Sequence, residues 1–172
     1  MARFSHSAVV TLVAVALLAA ALLASACNSG SSPTAPDANR NLVLSEAALV
    51  VNGQAVSSGS TYQHNHEGPN GVTRFEATLR DANGPAPGHV VEVHFRRPHG
   101  MMNGSGHFRL YDDGTHGDRI AGDGIYCYED RDGAYGFCHR RALNGEYHYD
   151  FCGYYPDGAE TNHRMIDVDV VD

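Results

Sequence analysis

An all-β sandwich is the fold class this sequence predicts, and three observations predict it. Apolar residues recur at every second position in several stretches after residue 41. Helical periodicity is missing from the same region. Between the stretches stand Asn83-Gly84-Pro85, Pro98-His99-Gly100, Asn144-Gly145 and Pro156-Asp157-Gly158, the residue types that tight turns require.

The strands follow in order. Phe75, Ala77 and Leu79 fall on one face while Arg74, Glu76, Thr78 and Arg80 fall on the other. Val91, Val93 and Phe95 alternate with Glu92, His94 and Arg96, and Phe108 and Leu110 alternate with His107, Arg109 and Tyr111. Tyr147, Tyr149 and Phe151 are set against His148 and Asp150; Ile166, Val168 and Val170 are set against Asp167 and Asp169. A strand with one apolar face must bury that face, and two such sheets do so by packing on each other. The expected architecture is an immunoglobulin-like antiparallel β-sandwich of about seven to nine strands.

The region before the sandwich has a different chemistry. Met1 to His6 carry Arg3 and no acid, and Ala8 to Leu23 is an apolar run of sixteen residues. That is short of the ~20 needed for a spanning helix, so the run predicts an export signal helix rather than a membrane span. Residues 28–40, NSGSSPTAPDANR, are small, polar and rich in Ser and Pro. Such a stretch is a flexible tether, with a root-mean-square reach of roughly 20 Å. The expected organisation is a signal peptide at 1–26, a linker starting at Cys27 over 27–40, and one domain at 41–172, a size suited to a single core.

Leu23-Ala24-Ser25-Ala26-Cys27 resembles the bacterial lipobox, with the leucine one place earlier than the family usually has it. The resemblance implies lipidation of Cys27, a membrane partner through the acyl chains, and residence in the cell envelope, at the outer membrane or cell surface. An ordinary secretory signal is the alternative.

Charge narrows the partners. All twenty acids lie after Cys27 against eleven of the twelve basic residues, which leaves −9 with histidine neutral. An acidic surface argues against nucleic acid as a partner. Every basic residue is arginine, which excludes a Walker A loop, a Schiff-base lysine and a Ser-Lys pair.

The densest motif is the thirteen residues from Asp112 to Gly124, with four aspartates (Asp112, Asp113, Asp118, Asp123) and four glycines (Gly114, Gly117, Gly122, Gly124). Carboxylates spaced along a glycine-bent loop are suitable calcium ligands. The same residues suit a purely structural loop, because aspartate caps turns and glycine supplies positive φ. A partner-binding loop is the third reading. The run DDG…D…GDG-Ile125-Tyr126 resembles a signature of immunoglobulin-like domains in bacterial secreted and lipid-anchored proteins, including choice-of-anchor domains. Asn144 to Tyr149 resembles the tyrosine corner of such sandwiches, with Tyr147 as the corner residue and Tyr149 where antibody domains place a cysteine. An ordinary core tyrosine is the other reading.

Transition-metal ligands are the remaining chemistry. His64 and His66 flank Asn65, while His99 and His107 bracket Met101 and Met102; imidazole and thioether donors suit copper or zinc. Exposed loop histidines are the plain alternative. Cys127 and Cys138 flank a candidate hairpin at Asp132-Gly133 and form a natural disulfide pair, with Cys138 and Cys152 the competing pair. No catalytic constellation emerges. The expectation is therefore an envelope lipoprotein with a non-catalytic adhesion, scaffolding or binding domain for a protein or glycan ligand, stabilised by calcium if the aspartate loop holds it. The alternative is a copper- or zinc-binding protein or small metalloenzyme.

Overall fold

The computed structural model describes residues 41–65, 71–99 and 104–172 of the chain. The expected signal helix, Cys27 and tether lie outside these residues, as does His66. The described residues form strands and no helix: β1 (Val43–Val51), β2 (Gln54–Val56), β3 (Ser60–Gln63), β4 (Thr73–Asp81), β5 (Gly84–Pro85), β6 (Val90–Arg96), β7 (Ser105–Leu110), β8 (Ile125–Asp130), β9 (Gly145–Tyr154) and β10 (Arg164–Val171). The alternating stretches become β4, β6, β7, β9 and β10. There are ten strands rather than seven to nine because β2 and β5, of three and two residues, extend the first sheet locally.

One sheet has the order β2-β1-β4, with β8 and then β5 along the far edge of β4. The other has the order β3-β10-β9-β6-β7. The pairings are antiparallel except that β3 runs parallel to β10. The sequence β1-β4-β8 facing β10-β9-β6-β7 is the A-B-E against G-F-C-C′ arrangement of an immunoglobulin-like sandwich.

β1 needs a bulge to fit. Leu44 is buried, and so are Leu49 and Val51, but these two lie an odd number of positions further along the strand. A regular strand would turn one set outward. The register against β4 slips between Leu44 and Glu46, which restores the inward phase for Ala47, Leu49 and Val51. The Ser45 hydroxyl at the slip donates to the Thr78 carbonyl at 3.1 Å.

The core is aromatic at its centre. Phe75 of β4 meets Tyr149 of β9 edge to face at 5.1 Å and Phe108 of β7 at 4.8 Å, while Tyr135 stacks on Phe108 at 4.2 Å. Phe75 and Tyr149 thus join the two sheets between the strands that antibody domains link with a disulfide. Buried tyrosines need partners for their hydroxyls. Tyr149 donates to Tyr135 O at 3.0 Å, Tyr126 to Ala86 O at 2.9 Å, and Tyr147 to Leu143 O at 3.1 Å. Tyr147 also accepts from Leu143 N–H at 3.2 Å, so it ties the start of β9 to backbone four residues upstream, the hydrogen-bonding pattern of a tyrosine corner.

The expected hairpin between Cys127 and Cys138 does not form, and no disulfide occurs among the described residues. After β8 the chain enters an irregular segment that does not return as a strand along it. Asp130 organises that segment: its buried carboxylate accepts from Ala134 N–H at 2.8 Å, Tyr135 N–H at 3.0 Å and Gly136 N–H. Cys138 then accepts a hydrogen bond from Thr73 Oγ1 at 3.1 Å, inside the sandwich. Cys127 pairs opposite Glu76, three residues further along β4. Three residues are about 10 Å of strand and face opposite sides of the sheet, out of disulfide reach. The rival pair fares no better, because Cys152 lies on the outer face of the second sheet, in phase with His148 and Asp150.

Candidate functional site

The aspartate motif is a loop between β7 and β8 that folds back along β8. Tyr111 and Cys127 exchange backbone hydrogen bonds at 2.9 and 2.8 Å, and Glu129 N–H donates to His116 O at 2.7 Å. The ring of His116 stacks on Tyr111 at 4.0 Å. Gly114, Gly117, Gly122 and Gly124 all have positive φ. At Gly124 the close approach matters as well: a Cβ would stand 2.8 Å from Pro85 Cβ and 3.0 Å from Ala86 N, closer than any side chain tolerates.

Each aspartate bonds to backbone amides. Asp112 accepts from Gly122, Asp123 and Gly124 N–H at 2.8, 3.1 and 3.1 Å. Asp118 accepts from Gly114 and Ile120 N–H at 2.7 and 3.1 Å, and Asp123 from Ile125 N–H at 2.9 Å. Asp113 accepts from Thr115 N–H at 2.9 Å. These bonds fix the turns without any ion. They also bring one carboxylate oxygen each of Asp112, Asp118 and Asp123 within 4.8 Å of one another, with Asp113 outside the group. Burial lifts the Asp112 carboxyl above its ordinary value, and the Asp118 charge adds to the lift against the three amide bonds. The Thr115 hydroxyl holds the exposed Asp113 below its ordinary value.

Of the histidines singled out in the sequence, the described His64 and His107 are not brought together by the fold. His64 is buried at the end of β3, with Nε2 2.9 Å from His139 O. His107 is exposed on β7, opposite His94 of β6. β3 and β7 are the two edges of one sheet, four strand spacings or roughly 19 Å apart. His99 lies by a cleft lined by Arg96, Arg97, Ser105, Glu146 and His148.

Instead the outer face of the second sheet carries histidines interleaved with acids. His94, His148, Asp150 and Cys152 lie on the outward phase of β6 and β9, Cys152 being fully covered there, with Asp167 opposite His148 on β10. His148 lies between Asp167 and Glu146, at 2.8 Å from Nδ1 and 3.1 Å from Nε2. His163, just before β10, lies between Asp150 and Glu160, at 2.9 Å from Nδ1 and 3.3 Å from Nε2. The thiol of Cys152 joins the second cluster, with its sulfur and one donor atom each of Glu160 and His163 mutually within 4.8 Å. Sequence spacing did not reveal this cluster. The one available signal was a cysteine on the polar phase of an alternating strand.

The thiols differ in setting but not in direction. Burial pushes Cys127 up to about 12, with the Glu76 charge adding to it. Burial also raises Cys138, against hydrogen bonds from Thr73 and Tyr62, and raises Cys152.

No protein-family model matches this chain, and no curated protein matches it. Among solved structures it is similar to part of the endo-beta-1,4-mannanase from Thermotoga petrophila, with 14% identity and a TM-score of 0.37 over 74% of this chain and 20% of that one. The chain thus spans about a fifth of the enzyme's length, and a likeness this distant says nothing of activity.

Proposed function

We propose that this chain is an exported bacterial envelope lipoprotein whose sandwich is a non-catalytic module for adhesion, scaffolding or ligand presentation. One observation carries the reading: a lipobox-like Leu23 to Cys27 is followed directly by a thirteen-residue Ser- and Pro-rich tether and then by the sandwich. Acyl chains on Cys27 contribute ~0.8 kcal/mol per buried methylene, enough for a lasting anchor when more than one chain is attached. The tether lets the domain stand roughly 20 Å clear of the headgroups. The acidic surface directs it towards protein or glycan ligands rather than nucleic acid. The aspartate loop adds a calcium position at Asp112, Asp118 and Asp123, whose oxygens already converge.

Mass spectrometry of the mature N-terminus tests the anchor. The expected product begins at Cys27 and carries acyl chains, and Cys27→Ser gives an unmodified protein released from membranes. A wild-type protein cleaved elsewhere, or carrying an unmodified Cys27, would refute the reading.

A further inference from the structure

We propose that Cys152, Glu160 and His163 form a binding site for a zinc-class divalent cation on the outer face of the second sheet, with Asp150 as the carboxylate that orients His163. The inference goes beyond the anchoring function and stands independently of it.

The donor set is the first ground. Thiolate, imidazole and carboxylate together are the ligands zinc takes, and a sulfur and a nitrogen donor disfavour calcium or magnesium. Tetrahedral zinc with its usual bond lengths separates such donors by roughly 3.3–3.6 Å. The three atoms lie within 4.8 Å of one another, so adjustments of about an ångström close the shell. Cys152 is fully buried, while Glu160 and His163 have exposed side chains whose rotamers can make them.

The second ground is how the imidazole is held. His163 Nδ1 is 2.9 Å from Asp150, and a carboxylate on one ring nitrogen presents the other to a metal. That other nitrogen, Nε2, faces Glu160 Oε2 at 3.3 Å. A neutral imidazole with its proton on Nδ1 would set a lone pair against a carboxylate oxygen there. The contact needs a positive charge between the two atoms, supplied by a second proton or by a metal ion. His148 is likewise flanked by two carboxylates. It does not belong to the group in which a thiol joins the donors, and so it serves as a control.

The third ground is the frame. Cys152 and Asp150 project from β9, paired on both sides by β6 and β10. The return to β10 is pinned by Thr161 N–H to Gly153 O at 2.8 Å and Gly153 N–H to Thr161 Oγ1 at 3.0 Å. Asn162 is clamped to Leu44 N and O at 2.9 and 3.0 Å. Glu160 bridges to Tyr154 through the backbone. Ligands on braced backbone keep a site organised before the ion arrives. Three protein ligands leave a fourth position for solvent, the pattern of exchangeable rather than closed structural sites.

Cobalt(II) is the probe, titrated into the full chain purified in detergent without a histidine tag and stripped by chelator. The expected result is one equivalent bound with a thiolate-to-cobalt charge-transfer band, discharged by zinc. Cys152→Ser removes the band. His163→Ala, on an exposed side chain that leaves the fold intact, weakens binding at least about a hundredfold, and Asp150→Asn weakens it about 10–100-fold. His148→Ala and His107→Ala change nothing. Circular dichroism checks that each variant is folded, and if Cys152→Ser is not, His163→Ala and Glu160→Gln decide. No charge-transfer band in the wild type, a band that survives Cys152→Ser, or affinity unchanged in His163→Ala overturns the proposal.

Discussion

Asp130 shows how much one side chain can determine. It is buried at the end of β8 and satisfies three consecutive amides of the following segment. The Gly136 amide is buried and the other two are partly so, and leaving a buried donor without an acceptor costs about 1–3 kcal/mol. Asp130→Ala is therefore expected to lower unfolding free energy by about 2–3 kcal/mol in urea titration, whereas Asp157→Ala at an exposed turn should change it by less than about 1 kcal/mol. Two of the three buried cysteines, Cys127 and Cys138, make a second prediction. Thiolate is the reactive form, and burial holds both Cys127 and Cys138 largely protonated. Iodoacetamide at pH 8 should leave both unmodified in the native protein and label both in denaturant without prior reduction. Labelling that required a reductant would reveal the disulfide that the structure lacks.

At the scale of elements, strict alternation was legible wherever a strand kept its phase. β4, β6, β7, β9 and β10 follow from their residues because each has one dry face. β1 was not legible. Its apolar residues change phase at Ser45, and a bulge is visible in sequence only as broken alternation. β2, β3 and β5 are too short to carry a pattern. The aspartate loop was legible as a glycine-bent turn, but not its return along β8, since that depends on backbone pairing between Tyr111 and Cys127. The Cys152 cluster was hidden for a similar reason: its members are brought together by the turn between β9 and β10, which leaves no spacing signature. The loop also carries a metal prediction. Calcium should raise the melting temperature of the wild type relative to chelator, magnesium should not, and Asp123→Ala should erase the difference. Equal melting temperatures with calcium and chelator would confine the carboxylates to turn-building.

For the whole molecule, the aromatic contact between Phe75 and Tyr149 does the joining that a covalent bridge does in antibody domains. Both rings are essentially inaccessible to solvent. Truncating such a ring costs about 3–5 kcal/mol, so Phe75→Ala should leave the domain unfolded or nearly so at 37 °C by calorimetry, while Phe75→Leu should retain the fold with a smaller loss. The two-sheet topology followed from alternation because any chain with several one-sided strands must stack them. The order of strands did not, since the long connections between sheets leave no periodic trace. Nor did the parallel pairing of β3 with β10, in which Val168 to Val171 meet Ser60 to Gln63.

The fold-back of the aspartate loop has a social consequence. On the proposed Cys27 anchor, copies held at one lipid surface would meet at concentrations far above those in solution, where an unpaired ribbon of amides recruits its neighbour into a growing fibril. The outer rim of β8 is occupied by the loop's own backbone at Tyr111 and His116. Crowding would then find this edge already paired.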